Sequence, residues 1–224
     1  MEVRSAGVPM RFLRPGEMLD RSHDPHPTVT RALTPGRTAL DVDGTHHGVV
    51  EAGRLVLESP ASGRFGLGPG MWFVAPGQAV VDLDGTAFVT TRLGYRGLFA
   101  LGGPVESTGR LTYIDGCSDT VLVGPPRRGD PCLNLLVVPP GTDQTAHSHP
   151  TLRAGIVVAG QGVCRDEWGD HPLEPGDVWC IPPDTVHAFR TREQPLSVVA
   201  FHPDSDTGPT DDDHPMRNRT VVGA

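Results

Sequence analysis

The sequence predicts an all-β protein of two repeated units, and three observations carry that prediction. Of its 224 residues, 28 are Gly and 23 are Pro, so 51 positions disfavour the interior of a helix. The apolar residues fall in short runs rich in Val, Leu and Phe, cut by Pro-Gly, Gly-Thr or Pro-Pro, the pattern of strands joined by turns. The chain also repeats itself. LGPGMWFVAPGQAV at 67–80 aligns with LEPGDVWCIPPDTV at 173–186 at an offset of 106, matching Leu67 to Leu173, Pro69 to Pro175, Gly70 to Gly176, Pro76 to Pro182 and Val80 to Val186. Upstream, GVVEAGRLVL (48–57) aligns with GIVVAGQGVC (155–164) at an offset of 107, matching Gly48 to Gly155 and Gly53 to Gly160. Two collinear blocks at nearly one spacing indicate a duplicated unit.

Along the chain, a leader runs to about residue 35 and the first β unit to about 105, with strands expected at Arg54–Leu57, Met71–Val74 and Thr86–Thr90. A connecting stretch follows. The second unit runs from about 133 to 203, with strands expected at Leu133–Val138, Ile156–Val158, Val178–Ile181 and Leu196–Phe201. Including the connecting segments, the division is residues 1–112 and 113–224. The end, PDSDTGPTDDDHPMRNRTVVGA, reads as a solvated polar tail; Met216, Val221 and Val222 suggest the alternative of a strap across a barrel or a partner subunit.

Composition excludes several functions. Lys is absent and all 19 cationic side chains are Arg, so neither a Lys Schiff base nor a P-loop Lys is available. A net charge of −8 argues against a nucleic-acid partner, which would need a basic face. No apolar run approaches the ~20 residues that span a bilayer, and the N-terminal segment lacks a signal-peptide core, so no membrane partner and a cytoplasmic location are expected. Cys117, Cys132, Cys164 and Cys180 form no C-x-x-C pair and read as free, mostly buried thiols.

Three histidines of the second unit carry the chemistry. His147 and His149 are two apart, so on a strand both face one side, and a barrel can bring His187 beside them. Three imidazoles converging on one interior point form a facial set of nitrogen donors for Zn, Fe, Ni, Mn or Cu, leaving positions for water or substrate. In the first unit the matching positions are Leu40, Val42 and Val81, with His46 opposite Arg153, so no ligand set is expected there. His46 and His47 are adjacent and face opposite ways.

The stretch Gly141-x5-His147-x-His149-x3-Arg153-x6-Gly160 resembles the first motif of the cupin superfamily, and Gly176-x5-Pro182-x-Asp184-x2-His187 resembles the second. The resemblance implies a bicupin: two double-stranded β-helix (jelly-roll) barrels, a degenerate N-terminal one serving packing or dimerisation and a C-terminal one holding metal, with a homodimer among the expected states. Three positions depart from the family pattern. Arg153 stands where a Glu ligand is usual, and an Arg offers only donors and cannot coordinate a metal. Asp184 replaces a Gly, and Thr191 replaces an Asn.

For Arg153 two readings stand: a salt bridge to Asp143, Asp166 or Glu167, or a bidentate anchor for a substrate carboxylate or phosphate. Cys164 and Cys180 read as core residues, as do Trp168, Trp179 and Phe189, any of which could wall a pocket. His171 reads as an exposed turn residue, and His202 and His214, each followed by Pro, as loop residues. Together these imply a mononuclear enzyme, a dioxygenase with one divalent ion, Fe(II) by family analogy, on His147, His149 and His187, acting on a small anionic substrate held by Arg153. The alternatives are a non-oxidative metal-dependent isomerase, lyase or cyclase, and a cupin that binds a small ligand without turning it over.

Overall fold

The computed structural model describes residues 8–217, 220, 221 and 223. In chain order its strands are β1 (Arg11–Leu13), β2 (Met18–Arg21), β3 (Thr28–Ala32), β4 (Gly36–Leu40), β5 (Gly44–Ser59), β6 (Gly63–Leu67), β7 (Trp72–Pro76), β8 (Ala79–Leu93), β9 (Ala100–Gly102), β10 (Leu111–Thr112), β11 (Ser118–Val123), β12 (Cys132–Val138), β13 (Arg153–Gly160), β14 (Gly162–Asp166), β15 (Gly169–Leu173), β16 (Val178–Ile181), β17 (His187–Arg190) and β18 (Leu196–His202). The described residues include two single-turn 3-10 helices and no α-helix. All strand pairs are antiparallel. The expected strands are present, and Val178–Ile181 has the bounds the pattern predicts.

The first unit is one sheet, β2-β3-β8-β5-β7-β9, with β4 on β8 and β6 on β5. The second has two, β1-β16-β13-β18-β12-β11-β10 and β15-β14-β17. The larger of these is buried on both faces, and period-2 alternation sorts its side chains. Leu133, Leu135, Ala154, Ile156, Val178, Cys180, Val199 and Phe201 pack with Ala32, Val49 and Phe88 of the first unit. The intervening Leu136, Val138, Val157, Trp179, Ile181, Val198 and Ala200 face the interior of the second barrel with Cys164, Leu173 and Phe189. The first barrel has its own apolar interior, which includes Leu40 and Val81.

The repeat recurs as geometry. β6 and β7 match β15 and β16 at the offset seen in the sequence, and β5 carries the positions of both β13 and β14. Gly53 and Gly160 both sit at φ +75°, where a Cβ would lie 1.8 Å from a carbonyl oxygen, that of Asp84 or of Pro195. Only glycine fits that bend in either copy.

Three placements differ from the sequence reading. The leader strand β1 leaves its own unit and pairs with β16, Phe12 opposite Trp179, and the Met10 amide donates to Asp166 Oδ2 at 3.0 Å. A three-residue strand has too little pattern to declare its partner. The segment after β18 lies against the 127–130 loop: the Gly129 amide donates to the Ser205 carbonyl, and Arg127 pairs with Asp211 at 3.0 Å. Met216 and Val221 beyond it are exposed, and Val222 lies outside the described residues. His171 is on β15, half-buried, with Nε2 2.9 Å from Asp166 Oδ2, instead of an exposed turn. The four cysteines are free and buried, and burial pushes the Cys164 and Cys180 thiols up to about 12, which leaves them inert core residues.

His46, on β5, faces the first barrel with both ring nitrogens engaged. Nε2 lies 2.9 Å from the Gly77 carbonyl and Nδ1 2.8 Å from Thr91 Oγ1. A carbonyl only accepts, so Nε2 carries the proton and Nδ1 accepts from the hydroxyl. Burial pushes His46 down to about 4. An unfolded chain takes up this proton near pH 6.5, the folded chain only near 4, so stability falls as the pH drops through that window. The loss from His46 is about 3 kcal/mol. Urea unfolding from pH 7 to pH 4.5 should therefore show a shallower acid loss in His46→Gln than in the natural chain; equal losses would refute the assignment.

Candidate metal centre

The loop 141–149 lies antiparallel to β17 and its flanks. The Gly141 amide donates to the Arg192 carbonyl, Thr191 to Thr142, and Asp184 to His149, and His147 and His187 exchange both backbone hydrogen bonds, at 2.9 and 2.8 Å. That exchange puts the two imidazoles on one side of the pair, ring centroids 4.7 Å apart. His147 and His149 are not on a continuous strand; the loop makes two isolated bridges, Asp143 with Arg190 and His147 with His187, and Pro150 removes the donor a ladder would need next. Asp115 clamps the same loop by accepting from the Thr145 amide at 2.6 Å and its hydroxyl at 3.2 Å.

The three rings converge. His147 and His149 have centroids 5.1 Å apart, His149 and His187 5.3 Å, and the ligating atoms of all three lie within 4.8 Å of one another. His147 Nδ1 donates to the Thr145 carbonyl at 2.9 Å and His187 Nδ1 to the Thr185 carbonyl at 2.8 Å, which leaves both Nε2 lone pairs free to coordinate. Burial, and then the Arg153 cation, push His149 down to about 3; burial pushes His187 down to about 4. Neutral imidazoles are what a first-row divalent ion requires. The residues fit such an ion.

Arg153 opens β13 and lines the same cavity of about 310 Å³ as the three histidines. Two of the three salt-bridge partners weighed in the sequence are engaged elsewhere: Asp143 with Arg190 at 2.6 Å, and Asp166 with Met10, Trp168, Gly169 and His171. The guanidinium instead spends Nη1 on the Thr151 carbonyl, the Leu152 carbonyl and Thr151 Oγ1, the last at 2.7 Å. The Thr151 hydroxyl in turn donates to Asp204 Oδ1 at 2.5 Å. Arg153 Nε is buried without a partner.

The other polar groups of the cavity were not singled out in the sequence. His202 ends β18 and is not a loop residue; it lines the cavity with its ring 6.4 Å from that of His149. A Pro restrains the residue before it to extended conformations, which suit a strand end as well as a loop, and the inward parity of Val198 and Ala200 continues to His202. Tyr113, Asp119, Asn134, Ser205 and Thr207 complete the polar lining; Asn134 donates to Asp119, whose carboxyl burial pushes up. Trp179 and Phe189 wall the cavity, whereas Trp168 is 44% exposed. Asp184, where the family pattern has Gly, adopts φ +60°, a conformation Asp tolerates better than most residues.

Residues 134–202 match the family model of the cupin domain. No curated protein matches the chain in sequence. Among solved structures it is similar in fold to a glyoxylate-induced protein from Pseudomonas aeruginosa (17% identity over 90% of this chain and 82% of that one, TM-score 0.60) and to Ylba from E. coli (15%, 84% and 83%, TM-score 0.58). A third is salicylate 1,2-dioxygenase from Pseudoaminobacter salicylatoxidans (13%, 78% and 69%, TM-score 0.55).

The full chain should bind about one divalent ion. His147→Ala, His149→Ala and His187→Ala should each weaken binding by at least the roughly 100-fold upper cost of losing an outer-shell partner, while His202→Gln keeps the ion. Elemental analysis after dialysis decides this, and full occupancy in all three alanine variants would refute the site.

Proposed function

We propose that this chain of cupin fold is a mononuclear metal-dependent dioxygenase of small carboxylates, with His147, His149 and His187 as the ligands and Arg153 as the substrate anchor. The degenerate first barrel serves as a packing partner for the second. The observation that carries the reading is Arg153: a cation with an unpartnered buried donor, in one cavity with three converging imidazoles.

An Arg presents two forked edges. With Nη1 taken by Thr151 and Leu152, the Nε–Nη2 edge is left for a planar anion, and a carboxylate matches it with two parallel hydrogen bonds. The Thr151–Asp204 link fixes that edge in place and supplies a counter-charge outside the anion's position. At about 310 Å³ the cavity is at the small end of ligand pockets, and Trp179, Phe189, Ile181 and Val198 give it apolar walls. These features favour a compact carboxylate with an apolar or aromatic body. Iron held by the three imidazoles would supply Lewis acidity and the electrons that activate dioxygen. Three protein ligands leave more open positions than three histidines and a Glu would, room for both substrate and dioxygen. Asp119 and Tyr113 are placed to exchange protons with a substrate's polar groups, and the apolar walls exclude water. The fold likeness to a salicylate 1,2-dioxygenase makes salicylate the first compound to try.

Oxygen uptake by the Fe(II)-loaded chain, measured against a panel of small aromatic and aliphatic carboxylates, tests the proposal; one dioxygen consumed per substrate is expected. Turnover without oxygen uptake would assign the chain to isomerases, lyases or cyclases, and tight binding without turnover would make it a binding protein. Arg153→Lys should lower kcat/KM by roughly 10–100-fold, the value of a charged hydrogen bond, because Lys lacks the fork. Arg153→Glu should hold or raise metal affinity while turnover falls; unchanged turnover in either variant refutes the anchor.

A further inference from the structure

The cavity of the three histidines contains a fourth imidazole, His202, that stands outside the ligand cluster. Strand register sets its neighbours. β13 and β18 pair Ala154 with Phe201, so one residue further along both strands Arg153 and His202 face each other on the inward side. Residues directly opposite in an antiparallel pair have Cβ atoms about 4.5–5.5 Å apart. On its other flank Arg153 pairs with Ile181 of β16, and Cys132 of β12 lies opposite His202. The order across the sheet is therefore Ile181, Arg153, His202, Cys132. The guanidinium has an apolar neighbour on one side and an imidazole on the other.

That imidazole is unspent. His147 and His187 each give Nδ1 to a backbone carbonyl. Neither ring nitrogen of His202 has a hydrogen-bond partner among the described residues, and neither is sealed from the cavity. The Cys132 thiol opposite is only a weak partner. Burial, then Arg153 and His149, hold His202 well below the ordinary histidine range, so the ring is neutral and offers one donor and one acceptor. A carboxylate seated on Arg153 brings its adjacent carbon beside this ring. A hydroxyl on that carbon both gives and accepts a hydrogen bond, so it satisfies either tautomer. A keto oxygen suits only one tautomer, and an ammonium would face the Arg153 cation. The side of Ile181 and Trp179 is left for an apolar substituent.

We propose that His202 is a specificity-determining residue that selects 2-hydroxycarboxylates, and one enantiomer of them. The inference rests on the Arg153 anchor proposed above. Three contacts in three directions fix the hand of the carbon between them: carboxylate to Arg153, hydroxyl to His202, apolar group to Ile181 and Trp179. The mirror image keeps the first contact only by exchanging the other two. Its hydroxyl is then buried against aliphatic carbon and His202 stays unmet.

Phenylacetate and the two enantiomers of mandelate share a charge and a ring, and differ in one hydroxyl and its hand. Each is titrated calorimetrically into the full chain loaded with Zn(II), and again after a chelator has removed the metal. In both states one mandelate should bind roughly 5–10-fold more tightly than its mirror image and than phenylacetate, the worth of one hydrogen bond. His202→Leu should make the three compounds equal. His202→Gln, which keeps a donor and an acceptor, should retain part of the preference. A preference that survives His202→Leu, or that is lost with the metal, would place the hydroxyl elsewhere and overturn the proposal. If none of the three binds at millimolar concentration, the Arg153 anchor fails and this inference with it. Binding of all three without preference in the natural chain overturns this inference alone and leaves the anchor standing.

Discussion

The sheet β16-β13-β18-β12 is buried on both faces, and that constraint fixes nearly everything else. One face is closed by Ala32, Val49 and Phe88 of the first unit, and the other encloses the second barrel. Because side chains alternate with a period of two, a slip of one residue would exchange the two sets and drive Arg153 and His202 into the apolar seam. Each large side chain in that seam contributes about 1.5–3 kcal/mol through burial. Slippage would therefore forfeit many such contributions at once. The functional side chains are oriented by the packing on the far side of their own sheet. The first unit is part of the site's construction although it contributes no ligand.

Its influence also reaches the site through polar contacts. Arg92, on β8 of the first unit, donates to the Pro203 carbonyl at 3.2 Å, and His26 lies 3.7 Å from Asp204. Asp204 receives the Thr151 hydroxyl, and Thr151 receives Arg153. A guanidinium beside His149 and His187 opposes protonation of those two rings, which keeps them as lone-pair donors, but it would also repel a metal cation. The carboxylate of Asp204 offsets part of that repulsion. An anion on the free Nε edge would offset more, so under the proposed function a metal ion and an anionic substrate would favour each other's binding.

The three-histidine cluster was legible because it rests on spacing: a two-residue interval, a Gly-Pro framed return and a barrel that closes the distance. The inward placement of Arg153 followed from the same parity. His202 was hidden by Pro203, which reads as a loop signal although the residue before a proline is at ease in a strand. Asn134 carries a weaker signal, a polar side chain at an inward position between Cys132 and Leu136. The exchange of β1 onto β16 had no signal at all. Arg11–Leu13 is too short for periodicity, and its pairing is decided by Asp166 and Trp179, far away in sequence.

The two units show how far one backbone leaves its chemistry open. Gly53 and Gly160 make the same bend, and Gly48 and Gly155 let the Phe73 and Trp179 rings approach to within 2.5 Å of where a Cβ would stand. Yet the positions that hold His147 and His187 in one copy hold Leu40 and Val81 in the other, both in the apolar interior. His46, the counterpart of Arg153, is satisfied by Gly77 and Thr91 and leaves nothing for a ligand. Filling one barrel strengthens the core, whereas hollowing the other leaves unpaired donors and neutral imidazoles that cost stability. The pair works as a unit because the filled barrel supplies the rigid face against which the hollow one is held open.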